Sequence, residues 1–293
     1  MELRSPAELH LPVLLTAVQT HLRPGPGVHC LDLTLGMGGH AEAFLAAGAR
    51  VTGVDRDPAA RTLASQRLSP FTDRLEILAG TFADTAEALA EEGTTFDAVL
   101  ADLGVSSLQL DDADRGFSMR TEIALDMRMG DGCPETALDL IDRLSELELA
   151  QIIWTWGEDR FGRRIAKAIK LARQERRLST GVELAEVIRA AVPGHQPRHP
   201  AVRTFQALRI AVNGELDQLD RLLAVLPKLL APGGRAALIS FHSLEDRAVK
   251  HRLRDHVTAG HLSESSRKPV LADEAEQAAN PRSTSAKLRW CLR

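Results

Sequence analysis

Short apolar runs recur at a regular interval in the first hundred residues: Val28–Leu33, Arg50–Asp55, Leu75–Ala79 and Phe96–Asp102. The stretches between them, such as AEAFLAAGA and PAARTLASQRL, carry apolar residues at helical spacing. Strands alternating with helices in this way predict parallel βαβ units and a doubly wound α/β sheet. A fifth strand is expected at Arg235–Phe241, after the turn APGG. A closing strand is expected in AKLRWCL, where apolar and basic residues alternate.

About 130 residues separate the fourth and fifth strands, whereas a crossover needs only a few tens. The surplus reads as helix from Glu135 to Val192. The expectation is an all-α insert at 110–199, carried by an outer domain made of 1–109 and 200–293. The segment TFQALRIAVNGELDQLDRLLAVLPKLL is expected as one helix, broken or ended at Pro227. The polar run SESSRKPVLADEAEQAANPRSTS is expected as loop.

Composition narrows the class. The chain has 293 residues, 44% hydrophobic and 26% charged, which suits a globular enzyme. No apolar run approaches the roughly 20 residues of a membrane span, and MELRSPAELHLP lacks a signal-peptide core. Cys30, Cys133 and Cys291 are far apart and odd in number, which argues against disulfides and against zinc. The expectation is a reduced, cytoplasmic protein.

The chemistry gathers at the predicted strand ends. DLTLGMGGH follows the first strand, and Gly36-x-Gly38-x-x-Ala41 satisfies the dinucleotide fingerprint. Asp55, about 20 residues on, ends the second strand, where a carboxylate can accept both ribose hydroxyls. That pair serves a nicotinamide dinucleotide and S-adenosylmethionine equally, so an NAD-dependent oxidoreductase is one reading. Asp57 is expected to cap the helix that starts at Pro58. Asp102 ends the fourth strand and is followed by the small polar turn Gly104–Ser107. A carboxylate there can accept N–H groups from an amine approaching a methyl donor. The chain has no tyrosine, which removes the dehydrogenases built on a Tyr–Lys pair. Phe82, after the third strand, either flanks an adenine or packs in the core. His40 and His242 have no partners at metal-ligand spacing, so no metal is expected. His242 lies after the fifth strand, where it either lines a substrate pocket or is structural.

The net charge of −4 is unevenly spread. Arg160–Arg177 holds eight Lys/Arg and one Glu, a local +7 that leaves −11 on the remainder. Its helical spacing puts Phe161, Ile165, Ala168 and Ala172 on one face and Arg163, Lys167, Lys170 and Arg177 on another. Eight bases against one acid favour phosphate contact over a merely solvated face. His195, Arg198, His199 and Arg203 add to this in PGHQPRHPAVRTF.

Longer motifs carry a resemblance. ADLGVSSLQLDDADRGFSMR, HPAVRTFQALRIAVNGEL, GEDRFGRRIAKAI, PGGRAALISFHSLEDRAVK and NPRSTSAKLR span nearly the whole chain. With DLTLGMGGH and GVDRDP, they make it similar to the ribosomal RNA small subunit methyltransferase H family. The resemblance implies a Rossmann-like class I methyltransferase sheet, S-adenosylmethionine as cofactor, and methylation of the N4 amino group of a cytidine in 16S rRNA. It implies Gly38, Gly39, His40, Asp55, Phe82, Asp102 and Gln109 as cofactor contacts. It also makes the helical insert an RNA-facing domain. Arg163, Lys167 and Lys170 on the basic face, together with Arg203 and His242 outside the insert, are the candidate substrate contacts. The small ribosomal subunit is the expected partner, no membrane or metal is expected, and a homodimer is left open. Ala17, Leu108, Trp156 and Thr284 depart from the family's usual Glu, Pro, Tyr or Phe, and Arg; none of them is a proposed cofactor contact. Asp102 is the candidate catalytic group, either accepting N4–H of the target base or holding the cofactor's methionine amine. A non-catalytic ribosome-assembly factor is the reading from outside enzymology; it predicts RNA binding without turnover.

Overall fold

The computed structural model describes residues 11–106, 115–130, 132–194 and 199–293. The chain divides into two compact units, one of 1–104 with 216–293 and one of 105–215.

The first unit is built on a seven-stranded sheet in the order β3-β2-β1-β4-β5-β7-β6. Its strands are β1 His29–Asp32, β2 Arg50–Asp55, β3 Leu75–Ala79, β4 Phe96–Asp102, β5 Leu230–Ser240, β6 Glu264–Ser265 and β7 Lys287–Leu292. β1 to β5 are parallel, and β7 runs antiparallel to both β5 and β6. The short β6 arises inside the polar run expected as loop. In β5 the register jumps from Phe96↔Leu230 to Ala98↔Arg235, so the APGG residues are looped out rather than placed before the strand. Gly234 sits there because a Cβ would lie 3.0 Å from the Phe96 carbonyl.

Side-chain alternation splits the core across the sheet. Cys30, Ala98 and Leu100 face α1 (Leu15–Leu22), α2 (Gly39–Ala46) and α3 (Pro58–Arg67). Leu31, Val99 and Ala101 face α4 (Phe82–Glu91), α10 (Glu215–Leu229) and α11 (Ser243–Thr258). Asp57 caps α3 as expected, accepting from the Ala59 amide at 3.0 Å. A last short helix, α12 (Glu274–Ala279), precedes β7.

The second unit is helical: α5 Ala137–Arg143, α6 Glu146–Gly157, α7 Gly162–Gln174, α8 Gly181–Ala191 and α9 Ala201–Asn213. The compact helical unit spans 105–215, where the sequence places the insert at 110–199. The physical reason is α9, whose Ala201, Phe205, Leu208 and Val212 are buried in the same cluster as Leu149, Ile165 and Ile188. Nor is the segment Thr204–Leu230 one helix broken at Pro227. It breaks at Gly214, which takes φ 62° and closes α9, while α10 runs on through Pro227. The Leu223 carbonyl, which Pro227 has no N–H to reach, instead accepts from His256 Nε2 at 2.8 Å. Among the described residues, no helix is long and apolar enough to cross a membrane.

Candidate active site

The chain runs outward from β1 to β3 and returns beside β1 as β4, so the topological switch point lies between β1 and β4. Open α/β sheets bind ligands there, outside the carboxyl ends of the strands. Asp32 ends β1, Asp55 ends β2 and Asp102 ends β4.

The glycine loop is pinned to those strands. The Leu33 amide donates to the Leu100 carbonyl and the Leu35 amide to the Val54 carbonyl, both at 2.9 Å. The Gly36 amide donates to Asp55 Oδ2 at 2.8 Å, and the Asp57 amide donates to Asp55 Oδ1 at 2.8 Å. Asp55 thus ties the loop to β2 while each oxygen keeps a further lone pair. Burial raises its carboxyl above the usual range, against the two amides that lower it.

The glycines are not equivalent. Gly36 has φ 52° and only the Thr34 carbonyl near a would-be Cβ, at 3.9 Å, so its α-carbon faces open space. Gly38 has φ 80°, and a Cβ there would meet Leu68. A Cβ on Gly39 would lie 2.8 Å from Pro12 Cγ. The left-handed backbone at 38 and close packing at 39 therefore favour glycine at the two positions that the family resemblance nominates, and the open approach belongs to Gly36.

Around this loop are polar atoms without partners. Asp32 is 1% exposed: its Oδ1 accepts from the Thr34 amide at 3.1 Å and its Oδ2 has no hydrogen-bonding partner. His40, 6% exposed near the start of α2, has none at either ring nitrogen. Asp102 Oδ1 is likewise buried without one. His40 Nε2 lies 3.7 Å from Asp102 Oδ2, beyond hydrogen-bond distance. Thr34 joins the two strand ends, since its hydroxyl accepts from the Asp102 amide at 2.6 Å. Burial pushes the Asp32 carboxyl up to about 6; Asp102 and Asp55 add to that, and His40 and the Thr34 amide oppose it. Buried polar groups are ordinarily satisfied. Two carboxylates with spare acceptors fit a ligand that brings a cation and N–H donors, and the methionine ammonium of S-adenosylmethionine is such a group.

Of the other residues singled out in the sequence, Phe82 opens α4 half-buried, with part of its ring against the core. Gln109 lies outside the described residues. His242 follows β5 and caps α11: its Nδ1 accepts from the Glu245 amide at 3.4 Å, and its Nε2 stands 3.2 Å from Glu245 Oε1. In the helical unit, Arg163 and Lys167 are exposed on α7. Lys170 is not free: its Nζ donates to the Ile141 carbonyl at 2.6 Å, closing the end of α5. Arg203 donates to the Glu158 carbonyl at 3.1 Å, beyond the end of α6. Both cations complete helix ends, which a charge tally cannot show. Sequence reasoning passes over Asp32 and Thr34, although both lie in DLTLGMGGH, and takes Gly36 only as the first glycine of the dinucleotide fingerprint.

This sheet order with β7 reversed, a glycine loop after β1, and acids ending β1, β2 and β4 together define a Rossmann-like methyltransferase that uses S-adenosylmethionine. The comparisons narrow the class. The model of the MraW methylase family matches residues 7–293. A protein named Ribosomal RNA small subunit methyltransferase H from Deinococcus radiodurans is 48% identical over 98% of this chain and 91% of its own length. One of the same name from Sorangium cellulosum is 49% identical over 99% of this chain and 92% of its own. A solved structure described as a putative rRNA-methylase from Clostridium thermocellum covers 100% of this chain and 99% of its own, at 11% identity and a TM-score of 0.42. The chain belongs to the MraW methylase family, and the nicotinamide reading of Gly36, Gly38, Ala41 and Asp55 is thereby set aside.

Proposed function

We propose that this protein methylates the N4 amino group of a cytidine in the 16S rRNA of the small ribosomal subunit, in the cytoplasm. The observation that carries the reading is the cluster of unpartnered buried atoms on Asp32, His40 and Asp102 at the switch point. Asp32 and Asp102 hold the cofactor's ammonium, Asp55 accepts from its ribose, and Phe82 flanks its adenine. Gly36 leaves room for its close approach; Gly38, Gly39 and His40 shape the wall, with Gln109 as a further contact. S-adenosylmethionine supplies an electrophilic methyl group when bound.

The protein's own task is alignment, because the N4 lone pair of cytosine is delocalised into the ring. Asp102 is tied through its backbone amide to Thr34, which places its α-carbon at the strand end, and its unpartnered Oδ1 can accept a hydrogen bond from N4–H as the nitrogen pyramidalises. The target base leaves its stack to reach the pocket, with His242 on the substrate side of the β5 edge. Arg163 and Lys167, exposed on α7, contact phosphates. Lys170 and Arg203, each committed to a carbonyl, contribute less.

Transfer of labelled methyl to small subunits lacking the modification, followed by nuclease mapping, tests the reading. Label in one cytidine-containing fragment supports it. RNA binding without transfer would favour the non-catalytic assembly factor. Titration of S-adenosylmethionine against NAD separates cofactor choice from chemistry.

A further inference from the structure

The cations of Arg160–Arg177 fall into two groups. In the second half of α7 and just beyond it Arg173 pairs with Asp142, Arg177 pairs with Glu175 and Lys170 holds the Ile141 carbonyl, while Arg176 stands exposed. At the start of α7, exposed Arg160, Arg163, Arg164 and Lys167 make no ion pair with any described residue. Arg160 lies over the Phe161 ring, 4.7 Å from its centroid, which keeps the guanidinium spread against the surface.

The placement is unfavourable for the helix itself. α5, α6 and α8 each open on a capping box, with Asp139, Glu148 and Glu183 in the third position. α7 opens on Phe161 with no side-chain cap and no acid in its first turn, where Arg163 and Arg164 stand instead. Cations there oppose the helix dipole. Of the other helices in this unit, α9 also opens without a cap or an acid, but its first-turn Arg203 is committed to the Glu158 carbonyl; locally disfavoured cations left without such a partner mark a role outside folding.

An aromatic residue emerges at the same end. Trp154 is 59% exposed on α6. A Cβ built on Gly162 would lie 3.2 Å from the Trp154 amide nitrogen, so the Trp154 backbone passes next to the start of α7 and its exposed indole is rooted there. An indole held open beside unpaired cations matches what unpaired nucleic acid offers, a base face and a phosphate one step along. Paired bases in a duplex have no free face for an indole.

We propose that this face of the helical unit docks an unpaired RNA segment, with one base stacked on Trp154 and its neighbouring phosphates on Arg160, Arg163, Arg164 and Lys167. The inference rests on the rRNA reading above and specifies the form of RNA that this surface takes. Four cations without acids favour a polyanion over a protein partner.

The test uses the full chain, a labelled 12-nucleotide pyrimidine-rich RNA single strand, and a 12-base-pair RNA duplex. Wild type should bind the strand more tightly than the duplex, with quenching of tryptophan fluorescence. Trp154→Ala should weaken strand binding about 5- to 150-fold, the equivalent of about 1–3 kcal/mol of stacking. It should leave duplex binding and S-adenosylmethionine binding unchanged, and Trp154→Phe should restore most of the loss. Wild-type strand affinity in Trp154→Ala, or equal loss on strand and duplex, would overturn the proposal. So would a variant whose change is lost self-association in light scattering. These outcomes are independent of methyl transfer by wild type to small subunits, whose absence would refute the function and not the docking face.

Discussion

Replacing Asp32 by asparagine should move folding and cofactor binding in opposite directions. Asp32 is fully enclosed, and burial moves its carboxyl from 3.8 up to about 6. The folded protein therefore binds this proton more tightly than the unfolded chain does. Stability contributed by the protonated acid is present below pH 3.8 and is lost as pH rises to about 6. A shift of about two units corresponds to about 3 kcal/mol, at 1.36 kcal/mol per unit, and about half of it is lost between pH 5 and pH 8. Asparagine keeps the shape and the acceptor for the Thr34 amide but carries no charge. Without ligand, urea denaturation should show the difference between variant and wild type shifting in favour of Asp32→Asn by about 1.5 kcal/mol from pH 5 to pH 8. At pH 8 the same variant should bind S-adenosylmethionine at least about tenfold more weakly, the loss of one charge-assisted contact. A stability difference independent of pH would refute the titration of Asp32. Unchanged cofactor affinity would refute its place at the ammonium.

Three further outcomes follow from the contacts. Thr34→Val leaves the Asp102 amide without its acceptor, a cost of about 1–3 kcal/mol, and should lower kcat/KM for methyl transfer, with Thr34→Ser restoring it; equal values for Val and Ser would dismiss the hydroxyl. Gly39→Ala forces a Cβ to 2.8 Å from Pro12 Cγ and should lower stability by about 1–3 kcal/mol; a stable variant that instead loses cofactor affinity would show that glycine is needed for the ligand rather than for Pro12. Lys170→Ala should lower stability by about 1 kcal/mol without changing the salt dependence of RNA binding, whereas Arg163→Ala and Lys167→Ala should each flatten the log–log slope by about 0.7 on single strands; a flattened slope in Lys170→Ala would return that ammonium to the RNA.

The sheet was legible because each parallel strand is a short apolar run between helical segments, and Asp55 and Asp102 stand at strand ends by spacing alone. The insert showed as surplus length. The break at Gly214 did not show, because apolar residues keep their helical spacing on both sides of it and only the left-handed backbone separates α9 from α10. Asp32 went unselected because the dinucleotide pattern directs attention to glycines and to one distant acid. Burial and an unpartnered oxygen are properties of the packed strand, not of the letter. The partners of Lys170 and Arg203 stay hidden for a related reason: the carbonyls they close belong to helix ends that a list of charges does not contain.

The proposed function has the β1–β4 switch point direct a methyl group onto cytidine N4. Its most direct test is mass spectrometry of nucleosides from small-subunit RNA after incubation with labelled S-adenosylmethionine at saturating concentration, with wild type and Asp102→Ala in parallel. Label should appear in N4-methylated cytidine with wild type and not with the variant. Label on carbon 5 or on another nucleoside, or near-wild-type yield from Asp102→Ala, would contradict it.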